Sequence, residues 1–334
     1  MRRKTRNFNL GNIGIGSDSP ISVQSMTKTD TRDVDKTVNQ INELELAGCD
    51  IIRCAVPNID AAMALKQIIK KTNIPVVADI HFEYTLALEA IKSGIHGLRI
   101  NPGNIGQRKR IVTVVNAAKD AGIPIRIGVN SGSLEKDILQ KHGSPTPDAL
   151  VESAERHLGI LDELNFTNVK VSVKSANVNI MKESYRKLAK ITDVPFHLGV
   201  TEAGTFEIGS IKSSIGIGGL ISDGVGDTIR VSLTDDPVKE VKMGRNILKA
   251  LGHFENGIEL ITCPGCGRLE IDLHSLVNEV EERIAKIKIK KTLKVSILGC
   301  VVNGPGEALG SDIGIAGGRG KGQLYKNGKI YKSC

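Results

Sequence analysis

Three thiols and one carboxylate near the C-terminus have the types and spacing for metal chemistry. Cys263 and Cys266 stand in Cys263-Pro264-Gly265-Cys266-Gly267-Arg268, a Cys-x-x-Cys pair on a Pro-Gly turn that aims two sulfurs at one point. Cys300 opens Cys300-Val301-Val302-Asn303-Gly304-Pro305-Gly306-Glu307, so a distant third thiol can complete a site, with Glu307 seven positions beyond it. Three thiolates suit an iron–sulfur cluster better than structural zinc. Zinc is usually closed by four Cys or His ligands, whereas a cubane can keep one iron free or held by oxygen. Glu307 is the candidate for that fourth position. A lone Cys-x-x-Cys is equally consistent with a zinc ribbon or a redox dithiol; the third Cys in a Gly/Pro-rich turn favours the cluster.

A second set of candidates lies inside apolar strands. Strand side chains alternate between faces with period two. In Ile229-Arg230-Val231-Ser232-Leu233 one face is apolar and the other is Arg230 and Ser232. Ile125, Ile127 and Val129 alternate against Arg126, Gly128 and Asn130, and Val169, Val171 and Val173 against Lys170, Ser172 and Lys174. Phe196, Leu198 and Val200 oppose His197, Gly199 and Thr201; Leu98 and Ile100 oppose Arg99 and Asn101; Ile52 and Cys54 oppose Arg53. A charge on the apolar face would be sealed in a dry layer at several kcal/mol, so the polar faces must look inward. Arg53, Arg99, Arg126, Lys174 and Arg230 would repel one another without an anion among them. Two phosphate groups match best, because guanidinium forks pair bidentately with phosphate oxygens. Asn101, Asn130 and Ser232 can donate further bonds. Asp79 and His81 share a face and could orient a ligand hydroxyl or simply bond at a strand end. Glu202 could donate a proton or serve as a helix-start carboxylate. His96, His142 and His157 lack partners at ligand spacing and read as non-functional.

The elements that must position these residues repeat as strand then helix. Strands are expected over 21–26, 50–55, 75–81, 97–101, 124–130, 169–175, 195–201 and 227–233. Helices follow over 33–47, 59–71, 84–93, 107–120, 147–163, 178–190, 205–216 and 237–250. Eight such units in about 250 residues is the arithmetic of a closed (β/α)8 TIM barrel. A doubly wound open sheet is the alternative, but no Gly-x-Gly-x-x-Gly follows the first strand. From about Asn256 the rhythm changes: a strand over 258–262, a helix over 273–287, a strand over 293–298, glycines crowding 304–322, and a hairpin over 324–331 turning at Asn327-Gly328. The expected domains are therefore residues 1–254, a diphosphate-binding barrel, and 255–334, a small α+β cluster domain.

Composition narrows the partners. A net charge of +8 over 334 residues admits nucleic acid, a membrane surface or a small anion. Most basic residues lie on helices beside acidic ones, and aromatics are only 3% with no Trp, which argues against nucleic acid and for a compact anion. No run approaches the ~18 apolar residues of a membrane span, and Met1-Arg2-Arg3-Lys4 leads into no signal region. A cytoplasmic protein is expected. Six cysteines in such a chain form no disulfide framework: Cys49 and Cys54 read as core thiols and Cys334 as a free thiol at the end. The Lys286 to Lys294 run is a solvated helix end, or a dock for an acidic redox partner.

Over essentially its full length the chain resembles the (E)-4-hydroxy-3-methylbut-2-enyl diphosphate synthase family of the methylerythritol phosphate route, in its short two-domain bacterial form. The matching stretches are Val23-Gln24-Ser25-Met26-Thr27, Leu98-Arg99-Ile100-Asn101-Pro102-Gly103-Asn104, Arg126-Ile127-Gly128-Val129-Asn130-Ser131-Gly132-Ser133, His197-Leu198-Gly199-Val200-Thr201-Glu202-Ala203-Gly204 and the two cysteine motifs. The resemblance implies a [4Fe-4S] cluster on Cys263, Cys266 and Cys300, with Glu307 capping the fourth iron until substrate displaces it. It implies 2-C-methyl-D-erythritol 2,4-cyclodiphosphate as substrate, held by the inward cations with Asp79, His81, Asn101, Asn130, His197 and Ser232. The implied reaction is a two-electron reductive ring opening and dehydration, fed by flavodoxin or ferredoxin, with Glu202 as proton donor. It further implies a head-to-tail homodimer in which one subunit's cluster caps the other's barrel.

Overall fold

The structure, a computed structural model, describes residues 2–253, 257–284, 287, 289, 291–318 and 320–333. It divides into two compact units, Met1–Leu251 and Gly252–Cys334.

The first unit opens with a hairpin, β1 (Phe8–Leu10) and β2 (Ile13–Ile15). The eight strand–helix repeats follow: β3 (Ser22–Met26), α1 (Val34–Leu46), β4 (Ile51–Ala55), α2 (Ile59–Lys70), β5 (Val76–Asp79), α3 (Tyr84–Lys92), β6 (Gly97–Ile100), α4 (Pro102–Ile105) and α5 (Arg108–Asp120). Then come β7 (Ile125–Asn130), α6 (Lys136–His142), α7 (Pro147–Glu163), β8 (Val169–Lys174), α8 (Val178–Leu188), β9 (His197–Leu198), α9 (Phe206–Ser213), α10 (Gly219–Ser222), β10 (Thr228–Ile229) and α11 (Pro237–Ala250). The sheet runs β8-β7-β6-β5-β4-β3-β10-β9 with parallel neighbours, and a bridge from Phe196 to Val171 returns it to β8. This is the expected TIM barrel. Ile52, Ile100, Ile127, Val171, Leu198 and Ile229 are fully buried in the layer between strands and helices, as their alternation requires. Asp33, Asn58, Thr146 and Asp236 cap α1, α2, α7 and α11 with their side-chain oxygens.

The last two barrel strands are shorter than their apolar runs suggest. The Leu233 N–H leaves the ladder for the buried Glu240 carboxylate (2.9 Å), and the Thr234 N–H for the Gly204 carbonyl (2.9 Å). The helix expected over 205–216 ends as α9, widens into a π turn over Ser214–Gly218 and resumes as α10. Gly216 permits this path, since a Cβ there would meet Met181 Cε and Val200 Cγ2 at 2.9 Å. Beyond the Val171–Phe196 bridge the pairing of β8 with β9 is taken over by Tyr185, whose buried hydroxyl donates to the His197 carbonyl (2.6 Å) and accepts from the Val173 N–H (2.9 Å). Tyr185→Phe strands both backbone groups in a dry seam. It is expected to lower stability by about 2 kcal/mol, checked by denaturant titration, and a loss within error of zero would show the seam hydrated.

The basic leader closes the barrel's lower end. Leu10 and Ile15 from the hairpin bury against Ile51 and Val77 inside the strands. Arg2 pairs with the buried Asp227 carboxylate (2.8 Å), which also accepts from Thr5 Oγ1 (3.0 Å) and the Phe196 N–H (2.7 Å). The Arg3 guanidinium lies 4.0 Å over the Phe196 ring.

The second unit contains β11 (Gly257–Thr262), α12 (Leu273–Ile284), β12 (Thr292–Leu298), α13 (Gly304–Leu309), β13 (Ile313–Gly318), β14 (Lys321–Lys326) and β15 (Lys329–Ser333). Its sheet runs in that strand order, parallel from β11 to β13 and antiparallel from β13 to β15. The glycine-crowded stretch forms α13 and β13, which pack because a Cβ on Gly314 would meet Ala308 Cβ at 2.6 Å. Asn327 and Gly328 both take positive φ (49° and 72°) at the hairpin turn, as that pair predicts. Helix α12 is described over Leu273–Ile284, and residues 285 and 286 of the helix expected over 273–287 lie outside the described residues. Lys286 and Cys334 lie outside the described residues. No described helix is long and apolar enough to cross a membrane.

Candidate active site

All barrel strands but β3 deliver residues, on the strand or just beyond it, to a cavity of about 150 Å³. Arg53 on β4, Arg99 on β6, Arg126 on β7, Lys174 on β8 and Arg230 after β10 all line it. Arg53, Arg99, Arg126 and Lys174 are each at most 7% exposed. Asp79 is the one carboxylate among the described lining residues and is the hub of the site. It accepts from Arg99 Nη1 at 3.0 Å, and Arg53 Nε and His81 Nε2 each stand 3.6 Å from its other oxygen. Burial alone would push the Asp79 carboxyl up, but Arg53, His81, Arg99 and Arg126 together hold it well below the usual carboxylate range.

One carboxylate does not neutralise five cations. Burial draws Arg53 down to about 9, opposed by Asp79. Burial and the neighbouring guanidiniums push Arg126 and Lys174 well below their ordinary values. The Nε and Nη1 atoms of Arg126 and the Nε atoms of Arg99 and Arg230 are buried without hydrogen-bond partners. Buried donors are normally satisfied, so these await acceptors. Two inward glycines make room for the longer side chains: a Cβ at Gly128 would meet Arg99 Nε at 2.8 Å, and one at Gly199 would meet Lys174 Nζ at 2.9 Å.

Asn130, His81 and Ser232 join the same lining, as do Ser172 and Thr201, which the same alternation puts inward without any role assigned from sequence. Met26, outside that lining, supports it: its Sδ accepts from Arg53 Nη2 at 2.8 Å. Asn101 is buried beside the site but outside the cavity's lining, and His197 lies deeper, its Nδ1 2.7 Å from Thr228 Oγ1. Glu202 is exposed and next to the lining residue Thr201. Its φ of 51° is a left-handed conformation that a non-glycine residue adopts at a cost. His96 accepts from the Val76 N–H at 3.1 Å, while His142 and His157 pair with Glu152 and Glu135 at 2.8 Å on the outer helices. Cys49 and Cys54 are buried thiols pushed up to about 12 by burial.

In the second unit the parallel pairing of β11 with β12, Thr262 opposite Ile297, brings Cys263 level with the chain leading to Cys300. The Gly299 N–H donates to Cys263 Sγ at 3.4 Å. The Glu270 N–H donates to the Gly299 carbonyl at 3.2 Å, tying the Cys-x-x-Cys turn to the Cys300 segment. Gly265 takes the positive φ (77°) that the turn needs. Gly299 leaves no room for a side chain, because a Cβ would meet Leu269 Cδ1 at 2.2 Å. Cys266 is exposed, Cys263 and Cys300 are partly so, and Glu307 is exposed in the first turn of α13. Among the described residues no three ligand-type side chains stand close enough to hold a metal as they are placed. The donor chemistry nevertheless fits an iron–sulfur group, since N–H···S bonds of the Gly299 kind support sulfur ligation.

Comparison with known proteins covers both units. The family described as the GcpE TIM-barrel domain matches residues 5–245, and the GcpE protein C-terminal domain matches 259–334. The 4-hydroxy-3-methylbut-2-en-1-yl diphosphate synthase (flavodoxin) of Clostridium perfringens is 59% identical over 331 residues, 99% of this chain and 94% of that protein. The enzyme of the same name from Lawsonia intracellularis is 55% identical, covering 100% of this chain and 92% of its own length. Among solved structures, dihydropteroate synthase of Stenotrophomonas maltophilia superposes with a TM-score of 0.55 at 12% identity, over 74% of this chain and 97% of that one. The 3-dehydroquinate dehydratase of Geobacillus kaustophilus gives 0.53 at 15%, over 76% and 99%. These two likenesses are of the barrel fold alone.

Proposed function

The chain belongs to the 4-hydroxy-3-methylbut-2-en-1-yl diphosphate synthase family, and on that premise we propose that it is the cytoplasmic oxidoreductase converting 2-C-methyl-D-erythritol 2,4-cyclodiphosphate to (E)-4-hydroxy-3-methylbut-2-enyl diphosphate. The observation that carries this reading is the cavity with five cations and one carboxylate, an excess of positive charge that a doubly phosphorylated ligand offsets. Two electrons and one proton open the ring: one C–O bond to the diphosphate breaks, the vicinal hydroxyl leaves as water, and a double bond forms between the two carbons. A [4Fe-4S] cluster on Cys263, Cys266 and Cys300, with Glu307 as the fourth, displaceable ligand, would supply the electrons one at a time from reduced flavodoxin or ferredoxin. Arg53, Arg99, Arg126, Lys174 and Arg230 bind the diphosphate and stabilise the charge that the breaking C–O bond leaves on it. Asp79 holds Arg53, Arg99 and His81 in place. His197, Asn101, Asn130 and Ser232 complete the polar surround.

Glu202 donates the proton to the departing hydroxyl. The assay that tests the whole reading is anaerobic turnover of the cyclic diphosphate with reduced flavodoxin, following the open-chain product. No product from iron-replete protein would overturn it. In the same assay Glu202→Gln is expected to lower kcat by about 10²-fold, the scale of a lost general acid, with the KM within a few-fold. A kcat unchanged by the substitution would remove Glu202 from the mechanism.

A further inference from the structure

Beneath the anion cavity the barrel holds a second polar level that its lining does not include. Lys170 lies two and four residues before Ser172 and Lys174 on the inward face of β8, in register with Arg126 on β7. It is 2% exposed, and its Nζ has no hydrogen-bond partner. On β9, His197 is fully buried with its Nε2 unpartnered. On β3, both amide atoms of the buried Gln24 are unpartnered too. Asp227, just before β10, is the acidic group that acts on Lys170, but its carboxylate is already occupied by Arg2, Thr5 and the Phe196 N–H. Below this level the hairpin residues Leu10 and Ile15 shut out solvent.

We propose that Lys170 takes up a proton from solution as the diphosphate enters the barrel, so that a residue outside the cavity's lining sets the pH dependence of substrate binding. The inference rests on the cyclic diphosphate reading above. An ammonium with no partner, facing Arg126, is disfavoured before the ligand enters. Burial first, and Arg126 next, draw Lys170 down to about 7, with Asp227 opposing. A dianion seated among Arg126 and Lys174 reverses the local field and restores the charged form. The sign follows from linkage: below pH ~6 the lysine is already protonated and nothing is taken up. Above its free value, binding requires the proton, so affinity falls up to tenfold per pH unit for that site. His197 is held neutral by burial, Arg126, Lys174 and Lys170, and supplies a lone pair or an N–H as its neighbour needs.

The test is calorimetry of the oxidised, anaerobic holoenzyme with the cyclic diphosphate at pH 8, in buffers of differing ionisation enthalpy. Both phosphates of that ligand are fully ionised near neutrality, so the buffer dependence counts protein protons. The wild type is expected to take up protons on binding. Lys170→Met and Lys170→Gln are expected to take up close to one fewer per site and to flatten the affinity profile between pH 7 and 9 by nearly tenfold per unit. Equal uptake in the wild type and a folded variant overturns the proposal. Should neither variant fold, Cε-labelled lysine NMR of the Lys174→Met protein decides. A lysine resonance titrating near neutrality only without ligand supports the assignment, and its absence overturns it. Absence of any binding heat would fell the substrate reading itself.

Discussion

Cys300→Ser is expected to give a colourless protein that still binds the cyclic diphosphate with affinity within a few-fold of the wild type and turns none of it over. Cys300 lies two residues beyond β12, on the segment whose Gly299 N–H already meets Cys263 Sγ at 3.4 Å. A serine keeps the backbone path and the volume but offers a hydroxyl that stays protonated near neutrality, a poor ligand for iron beside thiolates. Losing even an outer-shell partner of a metal costs roughly 10–100-fold, so losing one of three sulfur ligands should exceed that and reach the detection limit. Iron and sulfide content, the visible absorbance and turnover are measured on the same preparation. Turnover persisting in protein stripped of iron would remove the cysteines from the chemistry and leave a diphosphate-binding barrel with a zinc or dithiol appendage.

Arg126→Met is expected to do the opposite: keep the colour and lose the ligand. Arg126 is 3% exposed, with Nε and Nη1 unpartnered among Arg53, Arg99 and Arg230. Two charge-assisted bonds to phosphate at roughly 1.5–3 kcal/mol each predict a fall in kcat/KM of about 10³-fold. The same change removes a buried cation from a crowd of like charges, and apolar replacement of buried ionic groups is often stabilising by about 1–4 kcal/mol. The ligand-free variant should therefore melt later than the wild type while binding far worse. A variant that melts earlier and binds equally would mean that Arg126 pairs with protein instead of substrate. Mixing the two inactive proteins tests the head-to-tail homodimer we propose from the family. Hybrid dimers with one intact barrel facing one intact cluster should recover part of the wild-type rate, and no recovery after subunit exchange would argue for each subunit acting alone.

Both predictions rest on features that were legible before any coordinates. Period-two alternation in Ile229–Leu233, Ile125–Asn130 and Val169–Lys174 assigns one face to the helices and the other to the lumen, because a charge in the dry layer is prohibitive. The barrel's helices α7 and α11 begin and end where Thr146-Pro147 and Asp236-Pro237 and the apolar spacing place them. The shortness of β10 was not legible, because the Leu233 and Thr234 N–H groups turn to Glu240 and Gly204, partners outside the strand. The hairpin at Phe8–Ile15 was hidden in a leader that reads only as basic, since Leu10 and Ile15 acquire meaning only against Ile51 and Val77.

From its own letters the chain determined the barrel, the inward cations and the cysteine spacing, since each is a local pattern of burial or of ligand type. Only the tertiary structure decided which of the inward groups share one cavity and which stay beneath it. Asp79 became a hub because Arg53 and Arg99 converge on it from the strands on either side and His81 from two residues beyond it. Lys170 fell below the lining although it carries the same charge on the same face as Lys174. Height along a barrel is set by strand register and tilt, which depend on the pairing of all eight strands at once, and no single strand's sequence contains it.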